Sequence, residues 1–281
     1  MEQNHFREIS ANQKFYQINF GEFFRYKDLL VLFVKRDFVA QFKQTILGPL
    51  WFIIQPVLTA LTYFIVFGKF AQVPTLGVPG ILFFLTGVIF WNFFSEAFLK
   101  ISDTFFSNAN LFGKVYFPRI IIPVSVLASA SLKLGIQLLI LLALYFYFYF
   151  FEEHTFTPSV FLLALPLVFI FLSLAALGLG CLVSSLTTRY RDLKFLISFL
   201  VQLWMFATPV VYPYVFISGK IRIIMDINPL TPFFELIRLG MFSGGSFLPQ
   251  HLLFSGISIL LMLVLGFLVF NRTQRNFMDT V

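Results

Sequence analysis

VFLLALPLVFIFLSLAALGLGCLVSSL, residues 160–186, runs for 27 positions without a charged side chain. A hydrocarbon layer about 30 Å thick takes about 20 helical residues at about 1.5 Å each, so this stretch alone is long enough to cross it. Outward from it, five more apolar runs separate: 50–70, 80–99 and 120–151 before it, 193–211 and 252–270 after it. They are continuously apolar instead of alternating, which predicts helices and not a barrel. Over 281 residues, 59% hydrophobic and 12% charged side chains leave too little polar surface to coat a water-soluble body. The expected fold is an all-α membrane protein of six transmembrane helices in a single domain over 1–281. Residues 1–49 form a tail and an interfacial helix, 50–270 the bundle, and 271–281 a second tail.

The charges between the runs set an orientation. With the N-terminus in the cytoplasm, 15 Lys and Arg fall on inner segments and four on outer ones, namely Lys69, Lys220, Arg222 and Arg238, with Lys133 inside the third span. Cytoplasmic loops are the ones enriched in such residues, so both termini are expected inside. The outer loop after the third span carries Glu152 and Glu153 with no Lys or Arg. The net charge of +7 is thereby a topology signal, and no nucleic-acid partner is expected. The first 25 residues are polar and hold no cleavable signal, so the first span is expected to direct insertion.

No catalytic constellation stands out. Cys181 is the lone cysteine, and His5, His154 and His251 are scattered, so neither a disulfide nor a metal site is expected. No G-x-x-x-x-G-K-[ST] loop is present to cradle a nucleotide. Any energy for transport must come from another chain.

Three segments depart from plain crossings. Residues 23–44 carry Arg25, Asp28, Arg36 and Lys43 at near-helical spacing, with Leu29, Leu30, Phe33, Val34 and Phe38 largely opposite. That pattern predicts a basic amphipathic helix in the membrane interface, serving as a lipid anchor or as a contact for a cytoplasmic partner. The third span ends in seven consecutive aromatics, Tyr145 to Phe151, which fit an interfacial belt or stacking surfaces for sugar rings. Residues 212–250 are cut by Pro213, Gly219, Pro229, Pro232 and Gly240 into short apolar pieces, which predicts two re-entrant helices, with Asn228 or Thr231 as caps.

Polar residues within the spans form stripes. Gln55, Thr59 and Thr62 share a face of the first, Ser125, Ser129, Lys133 and Gln137 step by four along the third, and Ser198 and Gln202 follow on the fifth. Lipid leaves such groups unpaired, so they are expected to face other helices or water. Lys133 costs about 2.5 to 3.5 kcal/mol at a bilayer centre, and either snorkels or faces a hydrated or anionic path. It has no acidic partner within the spans, and Glu96, at the inner end of the second, is the only acid near enough to consider.

A family resemblance emerges from Lys35-Arg36-Asp37, from Phe42 to Trp51 (FKQTILGPLW) with Gln55-Pro56, from Val66-Phe67-Gly68 and from Phe117-Pro118-Arg119. It continues in Tyr190-Arg191-Asp192 and in Asn228-Pro229-Leu230-Thr231-Pro232. In this order the motifs resemble the permease subunit of bacterial ABC exporters for O-antigen and related polysaccharides. The resemblance implies a homodimer forming a channel in the cytoplasmic (inner) membrane, with two copies of a separate ATPase that bind ATP and Mg. It implies docking through the interfacial helix, including Arg36, and through 101–117, where Asp103, Asn108, Phe112, Gly113, Lys114 and Tyr116 are the candidate residues. Its cargo would be an undecaprenyl-diphosphate-linked glycan. Trp51, Phe90, Trp91, Tyr145, Tyr147 and Trp204 are candidates for the sugar path, and Lys133, Arg119 or Arg36 for the diphosphate. Teichoic acid and capsular polysaccharide remain open as cargo. A secondary transporter, the alternative of another class, requires inverted repeats and ionisable pairs at the midplane.

Overall fold

The computed structural model describes residues 25–276 except 113, 115–116, 152–155 and 191. The N-terminal tail, most of the C-terminal tail, Glu152, Glu153 and the Arg191 of the motif at 190–192 lie outside the described residues. Among those described there is no strand.

The amphipathic segment forms helix α1, Lys27–Ala40, which turns Phe33 inward and leaves Val31 and Leu32 exposed. A turn at Gly48–Leu50 then redirects the chain. Gly48 holds φ at 53°, a left-handed value that a side chain resists, and Pro49 presets the first helical position. Helix α2, Trp51–Tyr63, continues as a π-helical stretch over Phe64–Phe70.

Helix α3, Gly80–Ser102, is the spine. Nearly every side chain from Leu82 to Phe94 is buried, the mark of a helix apolar on all sides. Two short helices, α4 (Thr104–Ser107) and α5 (Ala109–Phe112), lead into α6, Ile121–Phe151, whose 31 residues outrun a plain crossing. After a tight turn at Val160–Ala164 comes α7, Leu165–Thr187, then α8, Leu193–Phe206. The two short pieces are α9, Gly219–Ile227, and α10, Thr231–Phe242, and α11, Pro249–Asn276, closes the fold.

Among the described residues, five helical stretches are long and apolar enough to cross a membrane: Gly48–Phe70, Gly80–Ser102, Ile121–Phe151, Val160–Thr187 and Pro249–Gln274. The run expected to reach residue 211 as a helix stops at Phe206, leaving 14 residues, about 21 Å by helical rise. Beyond it, Val210 donates its backbone N–H to Thr208 O at 2.7 Å and presses its own carbonyl against Gly87 of α3. A Cβ at Gly87 would stand 2.3 Å from that oxygen, so the glycine is what admits the irregular segment.

The tightest helix crossing joins α7 to α11. A Cβ on Gly266 would lie 2.1 Å from Gly178 O, so the two backbones touch where neither residue has a side chain. A second apolar core sits at the α1 end of the bundle. Phe33 of α1, Phe105 of α4, Phe112 of α5, Phe117 and Phe270 of α11 are all buried there with Ile121, Leu177 and Cys181. Phe105, Phe112 and Phe117 thereby anchor the connector after α3 in the body of the bundle.

Candidate functional site

Between α2, α3 and α6 lies a cleft of about 470 Å³, lined by Gln55, Asn92, Ser95, Glu96, Lys133 and Gln137, with Lys100 at its edge. Its centre is an ion cluster. Glu96 of α3 receives Lys100 Nζ on Oε1 at 2.7 Å and Lys133 Nζ on Oε2 at 2.6 Å. Lys100 is one turn on along α3, the i,i+4 spacing that lets Glu and Lys meet, whereas Lys133 arrives from α6. Lys133 thus pairs with Glu96, the one acid that the sequence had placed within reach. Two ammonium groups on one carboxylate leave a single uncompensated positive charge.

The cleft's wall has a local cause. Pro56 of α2 has no N–H, so the carbonyl of Phe52, four residues earlier, loses its helical donor. Gln137 of α6 supplies it, donating Nε2 to Phe52 O at 3.1 Å. The Phe52 ring lies 5.5 Å beneath Lys133 Nζ. Two residues of the stripe read on the third span reach neighbouring helices, Lys133 meeting α3 and Gln137 meeting α2, while Ser125 and Ser129 donate within α6, to Ile122 O at 2.8 Å and Ser125 O at 2.9 Å.

At the α1 end, the candidate docking residues fall on α1 and on the 103–114 segment. Arg36 is exposed, pairs with Asp37 at 2.8 Å and lies 4.7 Å over the Phe33 ring. Asp103 receives Ser107 Oγ and pairs with Lys194, at the start of α8, at 2.8 Å. Asn108 donates to Thr104 O at 2.9 Å, Phe112 is buried in the second core, and Lys114 is exposed. Gly113 and Tyr116 lie outside the described residues. Thr187, the last residue of α7, donates to Ser102 O at 3.0 Å, and Arg119 donates to Gln274 O while lying 5.0 Å over Phe112. Burial lowers the Arg119 pKa from its usual range. Through Ser102, Asp103 and Arg119 the two ends of this connector are thus tied to α7, α8 and α11.

The aromatic candidates are dispersed. Phe90 and Trp91 are buried in the main core, and Tyr145 packs between Phe156 and Phe242. Trp204 is half-buried, edge-on to Trp91 and Phe94, with its indole N–H donated to Asn228 Oδ1 at 3.1 Å. Trp51 and Tyr147 are exposed. Phe90, Trp91 and Tyr145 are occupied by packing within one chain.

At the opposite end, α9 and α10 are held by a polar clamp that the sequence had not marked. Glu235 and Arg238 of α10 pair at 3.0 Å with side chains 0% and 4% exposed. Arg238 also donates to Tyr212 O at 2.7 Å and Val210 O at 2.9 Å and lies 4.4 Å from the Phe83 ring centre. Glu235 accepts the backbone N–H groups of Tyr214 and Ser246. Burial pushes the Tyr212 hydroxyl up to about 12, with Arg238 opposing, so it remains a donor, here to Phe206 O. Asn228, expected as a helix cap, stands at the C-cap of α9 and accepts the Leu230 N–H on Oδ1 at 3.1 Å, while its Nδ2 donates to Ala207 O and Thr208 Oγ1, both at 2.8 Å, and fastens the end of α8. Leu230 occupies the N-cap position of α10. Among the described residues no group of three His, Cys, Asp or Glu is placed to hold a metal ion.

Among the described residues, an all-helical bundle with five helical stretches long and apolar enough to cross a membrane is the architecture of a multi-pass membrane protein. The chain matches the ABC-2 type transporter family over residues 28–242, and it belongs to that family. It is 27% identical over 254 residues to an O-antigen export system permease protein RfbA of Klebsiella pneumoniae, covering 90% of this chain and 94% of that protein. A protein of the same name from Myxococcus xanthus is 27% identical over 212 residues, 74% of this chain and 78% of its own length.

Proposed function

We propose that this chain is the channel-forming permease of an ATP-driven exporter that moves undecaprenyl-diphosphate-linked O-antigen across the inner membrane during lipopolysaccharide biosynthesis. The observation that carries the reading is the similarity to O-antigen export permeases over nine-tenths of the chain. In this reading α8 and the residues after it complete a sixth crossing, both termini are cytoplasmic, and α9 and α10 are re-entrant from the outer face.

Two copies form the channel. Gln55 and Thr62 of α2 and Gln202 of α8 are exposed on a single chain at membrane depth. Lipid gives an amide no partner, so a second copy or a hydrated path is the environment these faces call for. Trp51, Tyr147 and Trp204, with Lys133, are the path residues still compatible with that arrangement.

ATP and Mg are bound by a partner ATPase docked on α1 and on residues 101–117, with Arg36, Asp103, Asn108, Gly113, Lys114 and Tyr116 in or near the contact and Phe112 as its support from below. Force delivered there reaches the spans through packed elements. Phe33, Phe105, Phe112, Phe117 and Phe270 join α1, the connector and α11, while Lys194 and Thr187 join it to α8 and α7. Close-packed cores transmit displacement because they do not deform continuously.

The test is complementation of a strain whose own O-antigen permease is deleted, with this chain and its ATPase supplied together. Restored surface O-antigen and a purified assembly of two permeases with two ATPases are the expected results. A chain that purifies alone and leaves O-antigen inside the cell overturns the reading.

A further inference from the structure

The ion cluster of the α2, α3 and α6 cleft has a composition that a purely structural pair does not need. Glu96 sits six residues before the end of α3, about 9 Å from it by helical rise. In the proposed orientation that is just inside the cytoplasmic headgroup layer. Ionisable side chains within spans are costly and mark functional positions, and here three meet in one open cleft. The Lys133 and Lys100 side chains are 15% and 43% exposed, both line the cleft, and both converge on one carboxylate. The amides of Gln55 and Asn92 line the same space, as does Ser95, whose hydroxyl donates to Asn92 O at 3.4 Å.

From this geometry we infer that the cleft is a binding site for the phosphate or diphosphate group of a membrane-borne lipid, with the Glu96 carboxylate as a resident anion that the ligand displaces from Lys133 and Lys100. The inference rests on the exporter reading for its orientation. The carboxylate occupies the place of a ligand phosphate: its two oxygens are separately held by two lysines, as two phosphate oxygens would be. When a phosphate enters, Glu96, 21% exposed, turns outward and two cations face the ligand with no resident competitor. The volume of about 470 Å³ admits a diphosphate with the first atoms of whatever it carries. Two sources share this chemistry: a polyprenyl diphosphate, and the headgroup of an ordinary anionic phospholipid.

The experiment measures binding of farnesyl diphosphate to the full chain, with its ATPase, in phosphatidylcholine nanodiscs, using farnesol and phosphatidylglycerol as the other two arms. Farnesyl diphosphate is expected to bind and farnesol not. Lys133→Gln is expected to weaken binding about tenfold, one charge-assisted hydrogen bond to a phosphate, and Glu96→Gln to tighten it about tenfold by removing the competitor. The opposite signs separate the proposal from damage to the fold, which would weaken both variants. Equal weakening by Glu96→Gln and Lys133→Gln, or no binding to the unaltered chain, overturns it. Phosphatidylglycerol that leaves farnesyl diphosphate binding intact supports a diphosphate site; phosphatidylglycerol that displaces it at comparable concentration assigns the same phosphate pocket to membrane lipid. Binding that persists in a chain unable to restore surface O-antigen overturns the exporter reading and leaves the phosphate site standing.

Discussion

Gln137 of α6 completes the hydrogen bonding of Phe52 of α2, donating at 3.1 Å into the carbonyl that Pro56 leaves without a helical donor. A proline in a membrane helix is tolerated where a neighbour re-satisfies the freed carbonyl, and here the neighbour is one identified side chain. Gln137→Leu should lower stability by about 1 to 3 kcal/mol, the usual range for stranding a buried acceptor. In a Pro56→Ala background, where the N–H is restored, the same change should cost much less. Thermal unfolding of the four proteins in one detergent gives the cycle, and equal costs in both backgrounds would reject the account.

Gly178 and Gly266 predict a steric threshold. A methyl group on Gly266 would stand 2.1 Å from Gly178 O, so Gly266→Ala must push α11 off α7. Overpacking of this kind costs about 1 to 3 kcal/mol or more, and the variant should lose its monodisperse peak after mild heating. Gly135 of α6 is the control, with nothing within 4 Å of its Cβ position. Gly135→Ala should be neutral or stabilise by about 0.5 to 1 kcal/mol through helix propensity. Matching losses at both sites would count against a specific contact.

The Glu235 and Arg238 pair predicts an asymmetry between removing and replacing. Arg238→Met leaves Glu235 buried without its cation, a loss of about 3 to 5 kcal/mol. Arg238→Lys keeps the charge but cannot serve Tyr212 O, Val210 O and Glu235 from one planar fork, so it should restore only part of the stability. Protease resistance of the 207–248 segment is the readout. Full recovery with lysine would show that charge alone holds the hairpin.

These sites differ in how far the chain discloses them. The spans were legible because run length is a local property: 160–186 announces itself without reference to any other residue. The fifth run misled by five residues although Thr208-Pro209 lies within it, since a proline disfavours helix at the residue before it; what the sequence does not disclose is Gly87, far away on α3, which admits the turn that follows. Glu96 was singled out as the one acid within reach of Lys133, which narrowed the pair without fixing it. The second core was not legible at all. With 42 phenylalanines in the sequence, nothing marks Phe33, Phe105, Phe112, Phe117 and Phe270 as mutual neighbours. Arg238 was read as an outer-loop charge: Glu235 stands at helical spacing three residues before it, but the other two acceptors are backbone carbonyls 26 and 28 positions away, and carbonyls carry no sequence signature.

Asp103 and Lys194 give the prediction that bears most directly on transmission. The pair joins the connector after α3 to the first turn of α8 at 2.8 Å, with Lys194 half in solvent. An exposed ion pair contributes about 0 to 1 kcal/mol, so Lys194→Asp should hardly change thermal stability. If displacement of the connector reaches α8 through this pair, the same variant should uncouple ATP turnover from surface O-antigen delivery. The reversed pair, Asp103→Lys with Lys194→Asp, should restore delivery because the attraction is rebuilt with its ends exchanged. Measuring ATPase rate and surface glycan on the single and double variants decides it. A single variant that still exports at the unaltered rate removes this pair from the route and leaves the hydrogen bonds of Thr187 to Ser102 O and of Arg119 to Gln274 O to carry the displacement into α7 and α11.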